Sequence, residues 1–238
     1  EVMNMESIWS TTVKLEKFPA LSGDLTTEAV VIGGGLAGIL TAYFLKERNV
    51  KTIVLEADRI GSGQTKNTTA KITSQHSIIY SKVKKEFGEE KAKQYAAANE
   101  QAIKEYKRII EEKNIDCSFV ECPAYIYSRS PLDMIKLEHE AEVAKDLGIH
   151  AEYTSDTSLP FHVAGAVKFH NQARFHPLKF LLAISKELEI YENTQVKAVE
   201  DDCVFTDNGK VKAKHIVIAT HFPFINVPGF YFARMHQE

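Results

Sequence analysis

Three glycines at G-x-G-x-x-G spacing, Gly33, Gly35 and Gly38, follow the apolar run Ala29-Val30-Val31-Ile32. They precede Leu36, Ala37, Ile39, Leu40, Ala42, Phe44 and Leu45, which continue at helical spacing. The pattern predicts a strand, a tight turn and a helix. In such a turn Gly33 permits the bend, Gly35 lets a pyrophosphate approach the backbone, and Gly38 lets the helix pack closely on the sheet. The N–H groups at the helix start, those of Leu36 and Ala37 included, would face phosphate together with the positive end of the helix dipole. A second apolar run, Thr52-Ile53-Val54-Leu55, then ends in Glu56. That is about 20 residues beyond the glycines, where a carboxylate accepts hydrogen bonds from a ribose 2′-hydroxyl. An acid there disfavours a 2′-phosphate, so NADP is the less favoured ligand. The glycines could instead shape the turn of some other βαβ unit. Strand, helix, second strand and terminal acid arrive in the required order, however, and that context favours dinucleotide binding.

The segment after Glu56 is small and polar: Gly61-Ser62-Gly63-Gln64-Thr65-Lys66-Asn67-Thr68-Thr69-Ala70-Lys71. Its composition fits a solvated loop. It also follows the acid-ending strand directly, at the carboxyl edge where open α/β sheets bind ligands. Hydroxyl, amide and backbone donors such as those around Gln64, Thr65, Thr69, Ala70 and Lys71 suit a diphosphate and a polar ring edge. Among other chemistry-bearing residues, His76, Tyr80, His170, Arg174 and His176 read as structural or surface groups, and Tyr125 and Tyr127 are candidates for a substrate-facing side. No catalytic acid or base is assigned.

These residues need a sizeable scaffold, and 238 residues with 44% hydrophobic content supply one large domain or two small ones. The net charge of −3 offers no basic field for nucleic acid. No apolar stretch reaches spanning length and no secretory leader pattern is seen, so no membrane partner and a cytoplasmic location are expected. Three cysteines, Cys117, Cys122 and Cys203, form neither a disulfide framework nor a zinc pattern. No metal site is expected.

The positioning elements follow in order. Residues 1–24 read as an extended lead, and 81–114 as one or two amphipathic helices. Residues 117–128 read as two strands broken at Pro123. A helix from Ser130, with Pro131 at its first position, reaches Leu147, and a return strand follows near 164–170. Phe175-His176-Pro177 opens another helix. Short strands at 189–191, 194–199 and 202–206 lead through the Asp207-Asn208-Gly209 hairpin to a buried apolar strand, Ile216 to Thr220. Regular structure ends at Phe222-Pro223-Phe224 and Val227-Pro228-Gly229. The fold class is α/β, or α+β overall. A nucleotide domain of 25–80 and 171–225 is interrupted by 81–170, with 226–238 as a tail.

Taken together, Val30 to Gly38, Glu56-Ala57, the 61–71 segment, His176-Pro177, Asn193-Thr194-Gln195-Val196 and His215 to Thr220 resemble the FAD-dependent D-amino-acid-oxidase-like (DAO, glycine-oxidase-like) family. With Pro19-Ala20-Leu21-Ser22-Gly23-Asp24 ahead of them, they are similar to its amine-oxidising branch that includes gamma-glutamylputrescine oxidase. The resemblance implies a Rossmann-like FAD-binding domain of glutathione-reductase type with an inserted, incomplete substrate domain. It places Glu56-Ala57 at the adenosine ribose, the 61–71 segment along the diphosphate and flavin ring, Val196 against the adenine through its backbone, and Ala219-Thr220 at the strand end returning to the dinucleotide. Residues 64–71 contain neither His nor Cys, so noncovalent FAD is expected.

The implied reaction is oxidation of a C–N bond in an amine or amino acid by hydride transfer to flavin N5. Family members are longer than this chain, which is therefore expected to be a C-terminally truncated fragment, inactive by itself. Two alternatives stay open. One is an FAD-binding module of a dehydrogenase that passes electrons to a partner or to a missing C-terminal domain, such as the Rieske iron–sulfur domain of some relatives. The other is an NAD-binding Rossmann protein.

Overall fold

The apolar run ahead of the glycines becomes the middle of a sheet. In the computed structural model, which describes residues 6–14, 16–222 and 224, β1 (Leu25–Ile32) lies between β2 (Thr52–Leu55) and β10 (Gly209–Ile218), parallel to both. β7 (Glu189–Tyr191) adds in parallel outside β2, while β9 (Cys203–Thr206) and β8 (Val196–Glu200) form an antiparallel meander on the other side of β10. The order is β7-β2-β1-β10-β9-β8. Val30 and Val31 are fully buried, as a central parallel strand covered on both faces requires. One face is filled by Leu21, Val30, Ile32, Ile53, Leu55, Val204 and Val211. α2 (Leu36–Glu47) packs on β1 and β2, and α6 (Pro177–Ser185) packs on α2. These elements belong to one of two compact units, residues 1–68 with 177–238; the other is 69–176.

Two expectations for the first unit need correction. The lead is not extended throughout, because Ser7 starts a single turn, α1 (Ile8–Thr11), by accepting the Ser10 N–H. The run from Ile216 is not buried on both faces: Ile216 and Val217 are half-buried and Ile218 is 48% exposed. The side chains that bury β10 sit at its other end, where Val211 and Ala213 join the core. Pro223, the Val227-Pro228-Gly229 segment and the 226–238 tail lie outside the described residues.

The second unit is built on an antiparallel sheet. β6 (Gly165–Arg174) pairs along one edge with β4 (Val120–Ser128), and along the other with β3 (Lys71–Ile72) and β5 (Ala151–Thr154). The sequence pattern does not reveal β5. The expected break at Pro123 is instead a bulge inside one continuous strand, with the register shifting between Cys122 and Ala124. A bulge accommodates a residue that cannot donate to the ladder. The amphipathic stretch divides into α3 (Tyr80–Phe87) and α4 (Glu89–Glu112) at Gly88, whose φ is 86°. Ser130 caps a 3-10 turn, Pro131–Asp133, ahead of α5 (Met134–Asp146). Tyr80, Leu137, Ala144, Val167 and Phe169 form the core between helices and sheet. Burial raises the Tyr80 phenol well above its ordinary range. No helix among the described residues is long and apolar enough to cross a membrane.

Candidate functional site

The site is a cleft of about 750 Å³ in the first unit, at the carboxyl edge of the parallel strands. Its floor is the turn from β1 into α2. Gly33 has φ 113°, and a Cβ there would lie 2.7 Å from the Ala219 carbonyl oxygen, so only glycine admits the end of β10 this closely. A Cβ on Gly38 would run into the Gly33 carbonyl oxygen. Gly38 thus seats the first turn of α2 against the loop itself. The turn is held by the Gly33 N–H to the Leu55 carbonyl at 2.8 Å and the Ala219 N–H to the Ile32 carbonyl at 2.8 Å.

Glu56 links the second strand to this turn. Its Oε2 accepts the Gly34 N–H at 2.6 Å and its Oε1 accepts the Asp58 N–H at 2.9 Å. Each carboxylate oxygen has a second lone pair, and Glu56 lines the cleft, so it is oriented yet still able to accept a hydroxyl. The helix start is uncapped at Gly35, which has no side chain to supply. Thr65 reaches it from the 3-10 turn Gln64–Asn67, its Oγ1 accepting the Leu36 N–H at 3.1 Å. The Gly61 N–H closes on the Gly34 carbonyl at 3.0 Å.

Of the residues singled out from sequence, Gly33, Gly35, Leu36, Ala37, Glu56, Ala57, Gln64, Thr65, Val196, Ala219 and Thr220 all line this cleft. Gly38 stands behind its floor. Thr69, Ala70 and Lys71 are not among the lining residues; they belong to the second unit, where Ala70 is buried with φ 58° and Lys71 pairs with Arg174 in the sheet.

The tempting histidines, Tyr80, Arg174, Tyr125 and Tyr127 also belong to the second unit and none lines the cleft. His76 Nε2 lies 3.3 Å from Asn99 Oδ1. His170 stacks on His150 and meets Glu152 Oε1 at 2.9 Å. The His176 N–H donates to the Cys117 carbonyl at 2.6 Å. Tyr127 is half-exposed, 5.7 Å from the Phe161 ring. No group of three His, Cys, Asp or Glu suited to a metal ion occurs among the described residues.

Sequence reasoning missed Arg59, Lys197, His221, Phe222 and Phe224 as lining residues, and Glu192 as the buried acid behind them. Position gives a signal for Arg59 alone, since it follows the ribose-side acid by three residues. Glu192 follows a short edge strand and carries no local pattern.

The donor set suits a dinucleotide. An uncapped helix N-terminus faces the cleft, the basic Arg59 and Lys197 share its lining with the single acid Glu56, and Ile32, Leu55, Val196 and Phe224 give it an apolar wall. The residues therefore fit the adenosine diphosphate half of FAD.

Comparison with known proteins agrees with this geometry. A Bacillus subtilis protein named as a Rieske 2Fe-2S iron-sulfur protein, YhfW, is 36% identical over 242 residues, a span covering 98% of this chain and 48% of that protein. The gamma-glutamylputrescine oxidoreductase of Escherichia coli is 24% identical over 225 residues, covering 87% of this chain and 51% of that protein. The chain thus spans about half the length of the curated relatives it matches. The glycine oxidase of Geobacillus kaustophilus shares the fold with a TM-score of 0.64 at 20% identity, over 82% of this chain and 55% of that one. Residues 28–229 match the family described as DAO, FAD dependent oxidoreductase. Every cleft-lining residue falls inside that span, and the chain belongs to the DAO family of FAD-dependent oxidoreductases.

Proposed function

We propose that the protein oxidises the C–N bond of an amine or amino acid. FAD, when bound, supplies the electron acceptor for the hydride that leaves the carbon bonded to nitrogen, and the resulting imine hydrolyses in water. The observation that carries the cofactor half of this reading is the pairing of an uncapped helix start with the oriented Glu56 carboxylate in one cleft. In this reading Ala37 donates its backbone N–H to the diphosphate, joined by Leu36 when the ligand replaces Thr65 Oγ1 as its acceptor, Glu56 accepts the ribose hydroxyls, and Val196 with its apolar neighbours covers the adenine. Attachment is noncovalent. Residues 81–170, within the 69–176 unit, are read as the first part of a substrate domain. The names of the E. coli oxidoreductase and the glycine oxidase support an amine or amino acid as substrate.

A second reading is favoured by the name of the B. subtilis relative: electrons leave the flavin for a Rieske-type centre, making the protein a dehydrogenase. The test begins with FAD titration of the purified chain and of Glu56→Gln. Replacing the charged acceptor is expected to weaken FAD by about tenfold. Anaerobic mixing of the FAD-loaded full-length parent protein with a panel of amines and amino acids should bleach the flavin bands. Oxygen uptake against dye reduction then separates oxidase from dehydrogenase. A flavin that stays oxidised across the panel removes the amine assignment.

A further inference from the structure

The cleft wall formed by residues 56–68 is mostly small and polar, and both of its ends are tied to residues ahead of the family-matched span, with the buried Glu192 joining them at one end. At one end, Glu192, only 1% exposed, accepts the Ile60 N–H on Oε1 at 2.9 Å. Its Oε2 lies 2.6 Å from Arg59 Nε and accepts the Phe18 N–H at 3.1 Å. Arg59 Nη2 donates to the Glu16 carbonyl at 2.7 Å. At the other end, the Trp9 indole N–H donates to the Thr68 carbonyl at 2.9 Å. Between these ends the lead is pinned to the sheet edge, with the Glu192 N–H on the Pro19 carbonyl at 2.9 Å and the Leu21 N–H on Thr194 Oγ1 at 3.0 Å. The same lead therefore grips both ends of the wall that carries Arg59, Gln64 and Thr65.

We propose that the residues before the family-matched region, Trp9 with Glu16, Phe18, Pro19 and Leu21, are a strap that positions the cofactor wall, with Trp9 and Glu192 as positioning residues for FAD affinity. The inference rests on the reading of the cleft as an FAD site. Its physical basis is preorganisation. A wall of glycine, serine and threonine loses conformational entropy on ordering, and a strap that orders it beforehand removes that cost from binding. The Glu192 carboxylate suits this role because a buried acid accepting two amides and facing a guanidinium is strongly fixed in place.

The test uses the 238-residue chain with Trp9→Phe, which keeps an aromatic ring and removes the indole N–H, and Glu192→Gln, which keeps the shape and removes the charge. FAD dissociation constants, unfolding midpoints without FAD, and amide exchange over residues 59–68 are measured for each. Trp9 is the one tryptophan in the sequence, so its emission also reports FAD binding in the parent chain directly. Weaker FAD binding by about fivefold for Trp9→Phe and tenfold for Glu192→Gln is expected. In Trp9→Phe this comes with a nearly unchanged midpoint and faster exchange confined to the wall. Equal FAD affinity in parent and variants overturns the strap alone. Losses that only follow a lowered midpoint, with exchange raised across the whole unit, overturn it as well. A parent chain that binds no FAD overturns the cofactor reading and the strap with it.

Discussion

The helices α2 and α3 begin with the same chemical problem and solve it in opposite ways. Each exposes several unpaired amides and the positive end of a dipole. At α3 these are consumed by Glu140 of α5, which has no exposed surface. Its Oε1 accepts the Ile79 and Tyr80 N–H groups at 2.9 and 2.7 Å, and its Oε2 accepts that of Ser81 at 2.9 Å. At α2 the carboxylate of Glu56, just after β2, accepts the Gly34 N–H of the loop ahead of the helix and none from its first turn. The first turn of α2 receives one hydroxyl, from Thr65, and borders the cleft. A helix start stays open to a cleft when the fold withholds a buried carboxylate from it, and becomes a structural joint when the fold supplies one.

Breaking the closed terminus should cost most. Glu140→Ala orphans three amides at once, that of Tyr80 fully buried, and is expected to lower stability by about 3–5 kcal/mol in urea unfolding. A loss below about 1 kcal/mol would mean that water replaces the carboxylate and that the contrast with α2 is false. Next is Gly38→Ala, whose new Cβ meets the Gly33 carbonyl oxygen. It should cost about 1–3 kcal/mol through overpacking and abolish FAD retention on gel filtration, because relief of the clash shifts the phosphate-facing turn. Thr65→Val removes the acceptor for the Leu36 N–H while keeping the shape. About 1 kcal/mol of stability should be lost in the FAD-free chain, read from its thermal midpoint.

The smallest effect lies at an exposed pair in the second unit. The hydrogen bond with His170, aided by Lys168, holds the Glu152 carboxyl below the usual carboxylate range. The folded value is below the unfolded one, so the stabilisation is present above the unfolded value of about 4.3 and is lost as pH falls through the lowered folded value. Glu152→Gln should flatten that part of the acid limb in a pH series of unfolding midpoints, with little change near neutrality.

The glycine turn, the acid after β2 and the strand–turn–helix–strand succession were legible because each depends on near neighbours: a positive φ at Gly33, a helix start with no cap of its own, an apolar run long enough for one strand. Residues 61–65 were legible for a weaker reason, their place just after an acid-ending strand. Legibility stopped where a residue's role depends on something distant in the chain. Pro123 looked like a strand break because its missing N–H was visible, while the long partner β6 that holds both sides of the bulge was not. β10 looked buried at Ile218 from composition, yet its cover is concentrated around Val211 and Ala213. Trp9 and Glu192 carried no local pattern, since the groups that use them are remote in sequence.

By itself, then, the sequence determined the βα turn, its cleft-lining helix start and the acid at the end of β2. Those features are set by backbone sterics, periodicity and spacing within about 25 residues. The tertiary structure alone decided which carboxylates are buried and what they hold. Glu140 closes a helix 60 residues away and Glu192 reaches back 174 residues to Phe18. A buried charge is tolerated only where distant segments bring it donors, and that meeting exists only in the folded chain.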